Sequence, residues 1–344
     1  MILSASSGAR RAAATLLFAA ALPVALATAL PAAAQTFPVT VENCGRTLTF
    51  DAPPKRAVIN DINMSEMAFA LHLQPNMIGV TGITGWYKVT PAFKAELGAI
   101  LELSPKYPSL ETLVAADPDF FFAGWYYGMK PGGEVTPDTL AAKGIKTYVL
   151  TESCAQVDKS RPPASMDLLY TDELALGRIF GKEADANALV DGWKARLATV
   201  SKAVKDAPRT TVFVYDSGED KPFTAGKFAM PSAIIDAAGG RNVVGDLPMS
   251  WGTTSWEDVA VRNPQFLILL DYQDGGGYKK LLDFLEAHPA MKETDAVKNK
   301  RFIPLRYEQL TPGPANIEAV EKLARALHPD AFKADAAAAP AAAQ

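Results

Sequence analysis

Histidine is scarce in this chain of 344 residues, and its three copies lie where no metal site is expected. His72 falls within a predicted helix, His288 precedes a proline, and His328 lies near the C-terminal end. None of them follows a predicted strand, which is where open α/β sheets bind their ligands. A zinc or manganese site built on histidine therefore has little support. We expect no metal held by the protein itself and no resident cofactor.

The sequence also lacks the short motifs of common catalytic sites. It contains no G-x-S-x-G, no phosphate-binding P-loop, no G-x-G-x-x-G and no H-E-x-x-H. A glycine-rich stretch, DGGGY at residues 274–278, follows a predicted strand without the rest of a phosphate motif. A nucleophile paired with a base is difficult to place when histidine is so rare. We therefore expect a protein that is not an enzyme. An exported enzyme is the second class, and a structural or adhesive extracellular protein is the third.

The N-terminal residues have the layout of a secretory signal. Arg10 and Arg11 precede a long run without charge, which ends in small residues with an Ala-x-Ala pattern. The run is long enough to be confused with a membrane span, but its ending and the lack of a later run of that length favour removal. We predict that residues 1–34 are a signal peptide cleaved near Ala34. The sequence leaves open whether export uses the general or the twin-arginine route.

An excess of positive charge is absent as well. Lysine and arginine number 34 against 38 aspartates and glutamates, which is a net charge of −4. The predicted signal holds two arginines and no acid, so its removal leaves 32 against 38, or −6. This mild acidity argues against nucleic acid as a partner and gives no attraction to anionic membranes.

What the sequence does contain is a regular alternation of short helices and apolar strands. FPVTVENCGRTLTF alternates as a β-hairpin with its turn near Asn43–Gly45, and a helix is predicted from about Ser65 to Leu73 with Ser65 as its N-cap. A strongly helical segment, divided by Gly181, interrupts the alternation. The predicted fold class is α/β, with two lobes that each hold a mainly parallel sheet flanked by helices and that are joined by a single long inter-lobe helix.

The predicted organisation follows from this alternation. Its segments are the signal peptide (1–34), an N-terminal α/β lobe (35–164), a helical segment with the long inter-lobe helix (165–207), a C-terminal α/β lobe (208–330) and a disordered Ala/Pro tail (331–344). The two cysteines of the chain, Cys44 and Cys154, would tie the first strand to the end of the first lobe as one disulfide. Two separate buried thiols are the alternative.

One pattern occurs twice, 146 residues apart. SLETLVAADPDFFFAG begins at Ser109, and SWEDVAVRNPQFLILL begins at Ser255. In each copy the serine can cap a helix, a first-turn glutamate faces the helix dipole, a proline after Asp or Asn stops the helix, and a buried strand follows. A pattern at fixed offset indicates two similar lobes. Helix capping alone explains Glu111 and Glu257 as stabilising groups.

Taken together, these features resemble the helical-backbone class of periplasmic binding proteins of ABC importers, which carry ferric siderophores, cobalamin or haem. The resemblance covers nearly the whole chain after the signal. It depends on VENCGRTLTFDAPPKRAVI, SLETLVAADPDFFF, the single long helix and AIIDAAGGRNVVGD. It implies a periplasmic monomer that captures an iron–siderophore-type ligand and docks on a membrane permease. It also implies that Glu111 and Glu257 contact arginines of that permease, a role compatible with capping.

A cleft between the lobes is expected from the loops that follow strands. Aromatic side chains beside glycines in these loops indicate an apolar, ring-rich site, although some of them are expected to cover the lobe cores instead. The predicted ligand-binding residues are Met64, Trp86, Tyr87, Trp125, Tyr126, Tyr127, Tyr215, Met249, Trp251, Tyr272, Arg306 and Tyr307.

The charge and the metal content of the ligand stay open at this point. Arg306 either neutralises an anionic ferric complex or pairs with Glu308 or Asp271 and does nothing for the ligand. Tyr126 and Tyr127 are weak candidates for ligating ferric iron or haem. Any metal is expected to arrive inside an organic chelate, and cobalamin, haem or another large aromatic compound remain alternatives to a siderophore. The single long helix is expected to limit hinge travel, so the cleft should be largely pre-formed.

Overall fold

The computed structural model describes residues 1–2, 35–87, 89–272 and 277–333. Almost all of the predicted signal peptide, and the tail from residue 334, lie outside this part of the chain and stay predictions. Within it, no helix combines the length and the apolar character that crossing a bilayer requires.

A parallel sheet forms the centre of the N-terminal half. Its strands run in the order β5-β4-β3-β6, with β7 and β8 both paired to β6 and a separate antiparallel hairpin, β1–β2, beside it. The strands are β1 (Val39–Asn43), β2 (Arg46–Phe50), β3 (Ala57–Asn60), β4 (Met77–Thr81), β5 (Leu101–Ser104), β6 (Phe120–Trp125), β7 (Gly128–Met129) and β8 (Lys146–Val149). The helices are α1 (Ile62–Ala70), α2 (Pro91–Leu97), α3 (Leu110–Ala116) and α4 (Pro137–Ala141).

Two helices connect the halves. The first, α5 (Asp167–Phe180), ends at Gly181, whose φ of 72° is the left-handed conformation that glycine adopts without strain. The second, α6 (Glu183–Val204), has 22 residues and is therefore about 33 Å long. As the sequence predicted, Gly181 divides the helical segment and a single long helix follows it.

The C-terminal half repeats the design with a second parallel sheet. Its order is β11-β9-β13-β14, and an antiparallel pair, β10–β12, lies apart from it. The strands are β9 (Thr210–Tyr215), β10 (Phe223–Ala225), β11 (Gly240–Asn242), β12 (Trp251–Thr253), β13 (Phe266–Asp271) and β14 (Phe302–Arg306). The helices are α7 (Met230–Ala237), α8 (Trp256–Arg262), α9 (Tyr278–Ala287), α10 (Asp295–Lys298), α11 (Tyr307–Leu310) and α12 (Ala315–Leu327). The predicted fold class is thus confirmed.

A single apolar cluster joins the halves. It includes Ile59 of β3 and Leu270 of β13, and the long helix α6 contributes Val190, Trp193 and Val200 to it. Because α6 packs against α5, α7 and α12 and buries this stripe in the cluster, the helix is part of the shared core rather than a free linker.

One predicted helix start is wrong. Helix α1 begins at Ile62, and its N-cap is Asp61, whose carboxyl accepts the Ile62 backbone N–H at 2.9 Å. Ser65 lies inside the helix, where its hydroxyl donates to the Asp61 carbonyl oxygen at 2.8 Å. Asp61 has a φ of 71°, a region that non-glycine residues rarely adopt, so the chain turns sharply as it leaves β3.

The predicted disulfide between Cys44 and Cys154 is confirmed. It joins the turn of the β1–β2 hairpin to the 3₁₀ turn Thr151–Gln156 that follows β8. Asn43 strengthens the same connection, since its side-chain amide exchanges two hydrogen bonds of 2.7 Å with the backbone of Val149. The hairpin is therefore fixed to the strand end that begins this turn.

The double variant Cys44→Ser/Cys154→Ser should be less stable than the wild type by about 2–5 kcal/mol, because the bond closes a loop with a sequence separation of 110. Urea unfolding followed by circular dichroism measures the difference. The wild type in reducing agent should match the variant. Equal unfolding free energies in oxidised wild type and variant would contradict the prediction.

Candidate functional site

A cavity of about 650 Å³ opens where segments that follow parallel strands of both halves come together. This volume is within the usual range for small-molecule sites. Nine of the eleven described lining residues are aromatic, so the wall consists mainly of ring surface. The lining residues are Trp86, Tyr87, Tyr107, Tyr126, Tyr127, Gln156, Asp216, Phe223, Trp251, Tyr272 and Tyr307.

Three tyrosines stack across the two halves on one side of the cavity. Tyr87 follows β4 of the N-terminal half, and its ring lies 4.4 Å from that of Tyr307, centroid to centroid, with 26° between the planes. The ring of Tyr272 lies 6.2 Å from Tyr87 at 10°. Such offset stacking adds about 0.5–1.5 kcal/mol per pair beyond the area buried. The stack therefore holds the halves together at the cavity itself.

A buried carboxyl group supports this stack from each half. Asp61 accepts the hydroxyl of Tyr307 at 3.2 Å, and Asp216 accepts the hydroxyl of Tyr272 at 2.7 Å. Burial raises the pKa of Asp61 to about 7, and hydrogen bonds from Ile62, Tyr87 and Tyr307 oppose that shift. Burial also raises the pKa of Asp216. The pKa of Tyr87 is raised well above its ordinary value by burial and by the nearby Asp61, so this phenol stays protonated.

Glu152 forms a second bridge between the halves. One of its oxygens accepts the hydroxyl of Ser250 at 2.8 Å and the backbone N–H of Met230 at 3.3 Å, both from the C-terminal half. The other oxygen accepts the hydroxyl of Tyr127, a lining residue, at 3.1 Å. Burial raises the pKa of Glu152 to about 7, while these donors and the nearby Asp172 have smaller effects.

Tyr126 lies at the tip of a tight turn at the edge of the cavity. Gly124 and Tyr127 exchange backbone hydrogen bonds of 2.7 and 2.9 Å, which gives Tyr126 a φ of 64° and leaves its side chain 51% exposed. Gly128 has a φ of 95°, and a Cβ there would lie 2.6 Å from the Asn60 side chain. The turn thus needs glycine at this position in order to direct Tyr126 outward.

Seven of the predicted ligand-binding residues line the cavity, and they come from both halves. They are Trp86, Tyr87, Tyr126, Tyr127, Trp251, Tyr272 and Tyr307. Whether they touch a ligand stays a prediction.

The other five predicted residues do not line the cavity. Met64 is fully buried in the core, and Tyr215 is buried against Trp256 at 5.1 Å between ring centroids. The reason is direction, because successive side chains of a strand or helix point to different faces.

Local packing holds the side chains of Trp125 and Met249 outside the cavity lining. Trp125 packs against the apolar cluster behind the N-terminal sheet. The side chain of Met249 lies against Gly226 and Gly252, whose missing Cβ atoms make room for it.

Arg306 pairs with Glu308, as one of the two readings from the sequence stated. Glu308 is buried beneath it. The carboxylate of Glu308 therefore takes the guanidinium that an anionic ligand would have needed.

Sequence reasoning missed two lining residues and left two others unselected. Tyr107 follows β5, whose sequence LELS was not recognised as a strand, and its hydroxyl donates to the Tyr126 carbonyl oxygen at 2.7 Å. Gln156 ends the 3₁₀ turn after β8, a segment that the strand-end prediction did not include. Asp216 directly follows β9, and Phe223 begins β10, but neither was among the predicted ligand-binding residues.

The described residues contain no group of three or more His, Cys, Asp or Glu side chains arranged to hold a metal ion. Three of the lining tyrosines donate their hydroxyls to carboxyls of the protein, namely Tyr127, Tyr272 and Tyr307. These phenols are held in the protonated form.

The repeated pattern forms the same local structure in both halves. Ser109 accepts the backbone N–H of Thr112 at 3.1 Å to cap α3, and Ser255 accepts that of Asp258 at 3.0 Å to cap α8. Each helix ends at a left-handed residue 146 positions from its counterpart, Asp117 or Asn263. Glu111 and Glu257, in the first turns, are both exposed.

Two parallel sheets joined by one long helix, with their strand-end loops around an aromatic cavity, define a two-lobed solute-binding protein. Residues 61–308 match the family model described as periplasmic binding protein, and the chain belongs to that family. Members of the family are substrate-binding transport proteins. The predicted family resemblance is confirmed.

Individual relatives agree with this assignment. The chain is 24% identical over 307 residues to an ABC transporter substrate-binding lipoprotein of Bacillus subtilis, covering 87% of this chain and 88% of that one. It is 23% identical over 302 residues to a cobalamin-binding protein of Halobacterium salinarum, covering 85% and 75%.

Two solved structures are similar over most of their length. A periplasmic binding protein of Veillonella parvula is 26% identical, with a TM-score of 0.73 and coverage of 85% of this chain and 97% of that one. A protein of an ABC-type Fe3+-hydroxamate transport system of Saccharomonospora viridis is 25% identical, with a TM-score of 0.71 and coverage of 85% and 99%.

Glu152→Gln should weaken the pH dependence of stability. A carboxyl whose pKa rises from 4.5 to about 7 on folding stabilises the protein fully below pH 4.5, and this stabilisation is lost as the pH rises through 7. Over this pH range, the free energy of unfolding of the variant should fall by about 3 kcal/mol less than that of the wild type. Urea unfolding at a series of pH values measures this, with the exposed Glu286→Gln as control. An unchanged slope in Glu152→Gln would refute the assignment.

Proposed function

We propose that this chain is the periplasmic solute-binding component of an ABC import system. It captures an iron–siderophore-type ligand in the cavity between its halves and delivers the ligand to a membrane permease. The observation that carries the proposal is the aromatic cavity at the strand ends of both sheets. A broad ring surface suits a bulky organic chelate, because such a ligand presents mostly apolar area and few charges.

Further support comes from the relatives. Similarity to the Fe3+-hydroxamate transport protein of Saccharomonospora viridis favours a ferric chelate. Location in the periplasm and removal of residues 1–34 are part of the proposal, since family membership and the signal-like N-terminal sequence both favour export.

Cobalamin is the second candidate ligand, with haem or another large aromatic compound behind it. The relative from Halobacterium salinarum is named for cobalamin binding, and it matches nearly the same length of this chain. Stacked rings such as Tyr87, Tyr272 and Tyr307 suit a planar macrocycle as well as a chelate.

The proposal includes docking of the permease on α3 and α8. Capping explains why each helix has a first-turn acid, but it does not explain the exposed apolar side chain that follows each acid by about one turn. Val114 is 44% exposed on α3, and Val261 is 85% exposed on α8. Residues three or four apart share a helix face, so each half presents Glu111 or Glu257 beside a valine. Two matched surfaces suit a partner built from two similar subunits.

Ligand capture can be tested directly. Mass spectrometry of material that co-purifies with the protein should identify a ferric chelate, and saturable quenching of tryptophan fluorescence should report binding without product formation. Trp86→Ala should weaken binding about tenfold, since it removes one ring from the wall and Trp86 is exposed enough to spare the fold.

The matched control for this experiment is Trp193→Phe, which changes a tryptophan of α6 outside the cavity. It should leave both affinity and most of the quenching intact. Consumption of the ligand with release of product would instead favour the enzyme class.

Docking is tested with Glu111→Ala/Glu257→Ala. Uptake of the ligand in cells should be abolished while affinity in solution stays within about twofold of wild type, because the two acids are exposed on helices outside the cavity. The control pair is Glu96→Ala/Glu286→Ala, two exposed helix acids outside the repeated pattern. Normal uptake by the first variant, or a collapse of its affinity, would show that the docking assignment is wrong.

A further inference from the structure

Among the residues that the structure describes, no positively charged side chain lines the cavity. The described lining consists of aromatic residues together with Gln156 and Asp216, and it contains no lysine or arginine. Lys88 is not among the residues that the structure describes. Arg306 is paired with Glu308. The Nζ of the exposed Lys106 lies 4.8 Å from the centroid of the Trp86 ring, but Lys106 is not among the described lining residues.

Three hydroxyl donors of the wall already donate to carboxyls of the protein. Tyr127 donates to Glu152, Tyr272 donates to Asp216, and Tyr307 donates to Asp61. A bound anion needs donors or cations to replace the water that it loses, and leaving it without them is unfavourable by several kcal/mol. These tyrosines can serve an anion only by leaving buried carboxyls without partners.

The faces of the aromatic rings also disfavour an anionic ligand. The face of an aromatic ring carries the negative part of its quadrupole, which attracts cations and repels anions. Trp251 and Phe223, both lining residues, stack nearly parallel, with their ring centroids 6.1 Å apart and 15° between the planes. A ring face that is turned toward the cavity therefore suits uncharged or positive ligands better than anions.

From these contacts we infer that the cavity accepts uncharged or cationic chelates and ring compounds and excludes anionic ones. This inference rests on the proposed function, because it assigns the charge class of the ligand at the same site. Gln156 and Asp216 are the polar wall positions that determine the selection.

The test compares ligands of similar size and different charge in two chemical series. One series contains a neutral ferric trihydroxamate, a cationic ferric trihydroxamate with a free amine, and an anionic ferric tris-catecholate. The other contains neutral cyanocobalamin and haem, which carries two propionates. Binding is measured by tryptophan quenching and calorimetry at fixed ionic strength. In either series we expect the anionic member to bind at least about tenfold more weakly than an uncharged or cationic one.

The two proposals fail differently in this design. Selective binding of cyanocobalamin with no trihydroxamate binding supports the charge assignment and contradicts the siderophore ligand. Equal or tighter binding of the tris-catecholate overturns the charge assignment and leaves siderophore capture standing. Failure of all five compounds to bind contradicts both.

Two wall variants sharpen the result. Gln156→Arg adds a cation at a half-buried position of the wall. It should improve binding of the tris-catecholate, relative to binding of the neutral trihydroxamate, by at least about tenfold. The control variant Gln156→Met should show no such improvement. Asp216→Asn should lower the preference for the cationic over the neutral trihydroxamate, with the exposed Asp283→Asn of α9 as control. An unchanged charge preference in both Gln156→Arg and Asp216→Asn would overturn the inference.

Discussion

The geometry of the cavity depends on the contact between Asp61 and the tyrosines that meet above it. A buried carboxyl needs hydrogen-bond donors, because burial without them is unfavourable by several kcal/mol. Asp61 receives two from its own half, through Ile62 and Tyr87, and one from the opposite half, through the Tyr307 hydroxyl at 3.2 Å. Tyr307 in turn stacks on Tyr87. Separating the halves at this point would break a ring stack and leave a buried acid with fewer partners.

Glu152 reproduces this arrangement elsewhere at the interface. It also comes from the N-terminal half, is also buried, and also takes donors from the other half, at Ser250 and Met230. Its turn begins at the strand end that the β1–β2 hairpin holds, and the disulfide fixes Cys154 within that turn. The hairpin, which lies outside both parallel sheets, thereby helps to position a residue that bridges the lobes. Together with the long helix α6, these contacts favour a cavity that is largely formed before a ligand arrives.

Short-range rules explain why the fold could be predicted from the sequence. Serine caps, first-turn acids and stops before proline act within a few residues, and they appear in the same order at Ser109 and Ser255. The strand-end rule located most of the cavity for the same reason. It failed at Met64 and Tyr215 because it selects a segment and not the direction of each side chain. It missed Tyr107 because LELS has too short an apolar pattern to be recognised as a strand.

The charge of the site, unlike the fold, depends on how individual charged side chains pair with one another. Arg306 lies at the end of β14, and the sequence alone left open whether it neutralises an anionic ligand or pairs with an acid of the protein. Glu308, two residues later, is buried and pairs with it, while Glu66 and Glu318 lie close enough to act on the same guanidinium. A cation surrounded by acids of its own protein has little attraction left for a ligand at a distance. The shared fold therefore supports the proposed location of the ligand site, and on our inference the pairing of single charged side chains determines which ligands the cavity accepts.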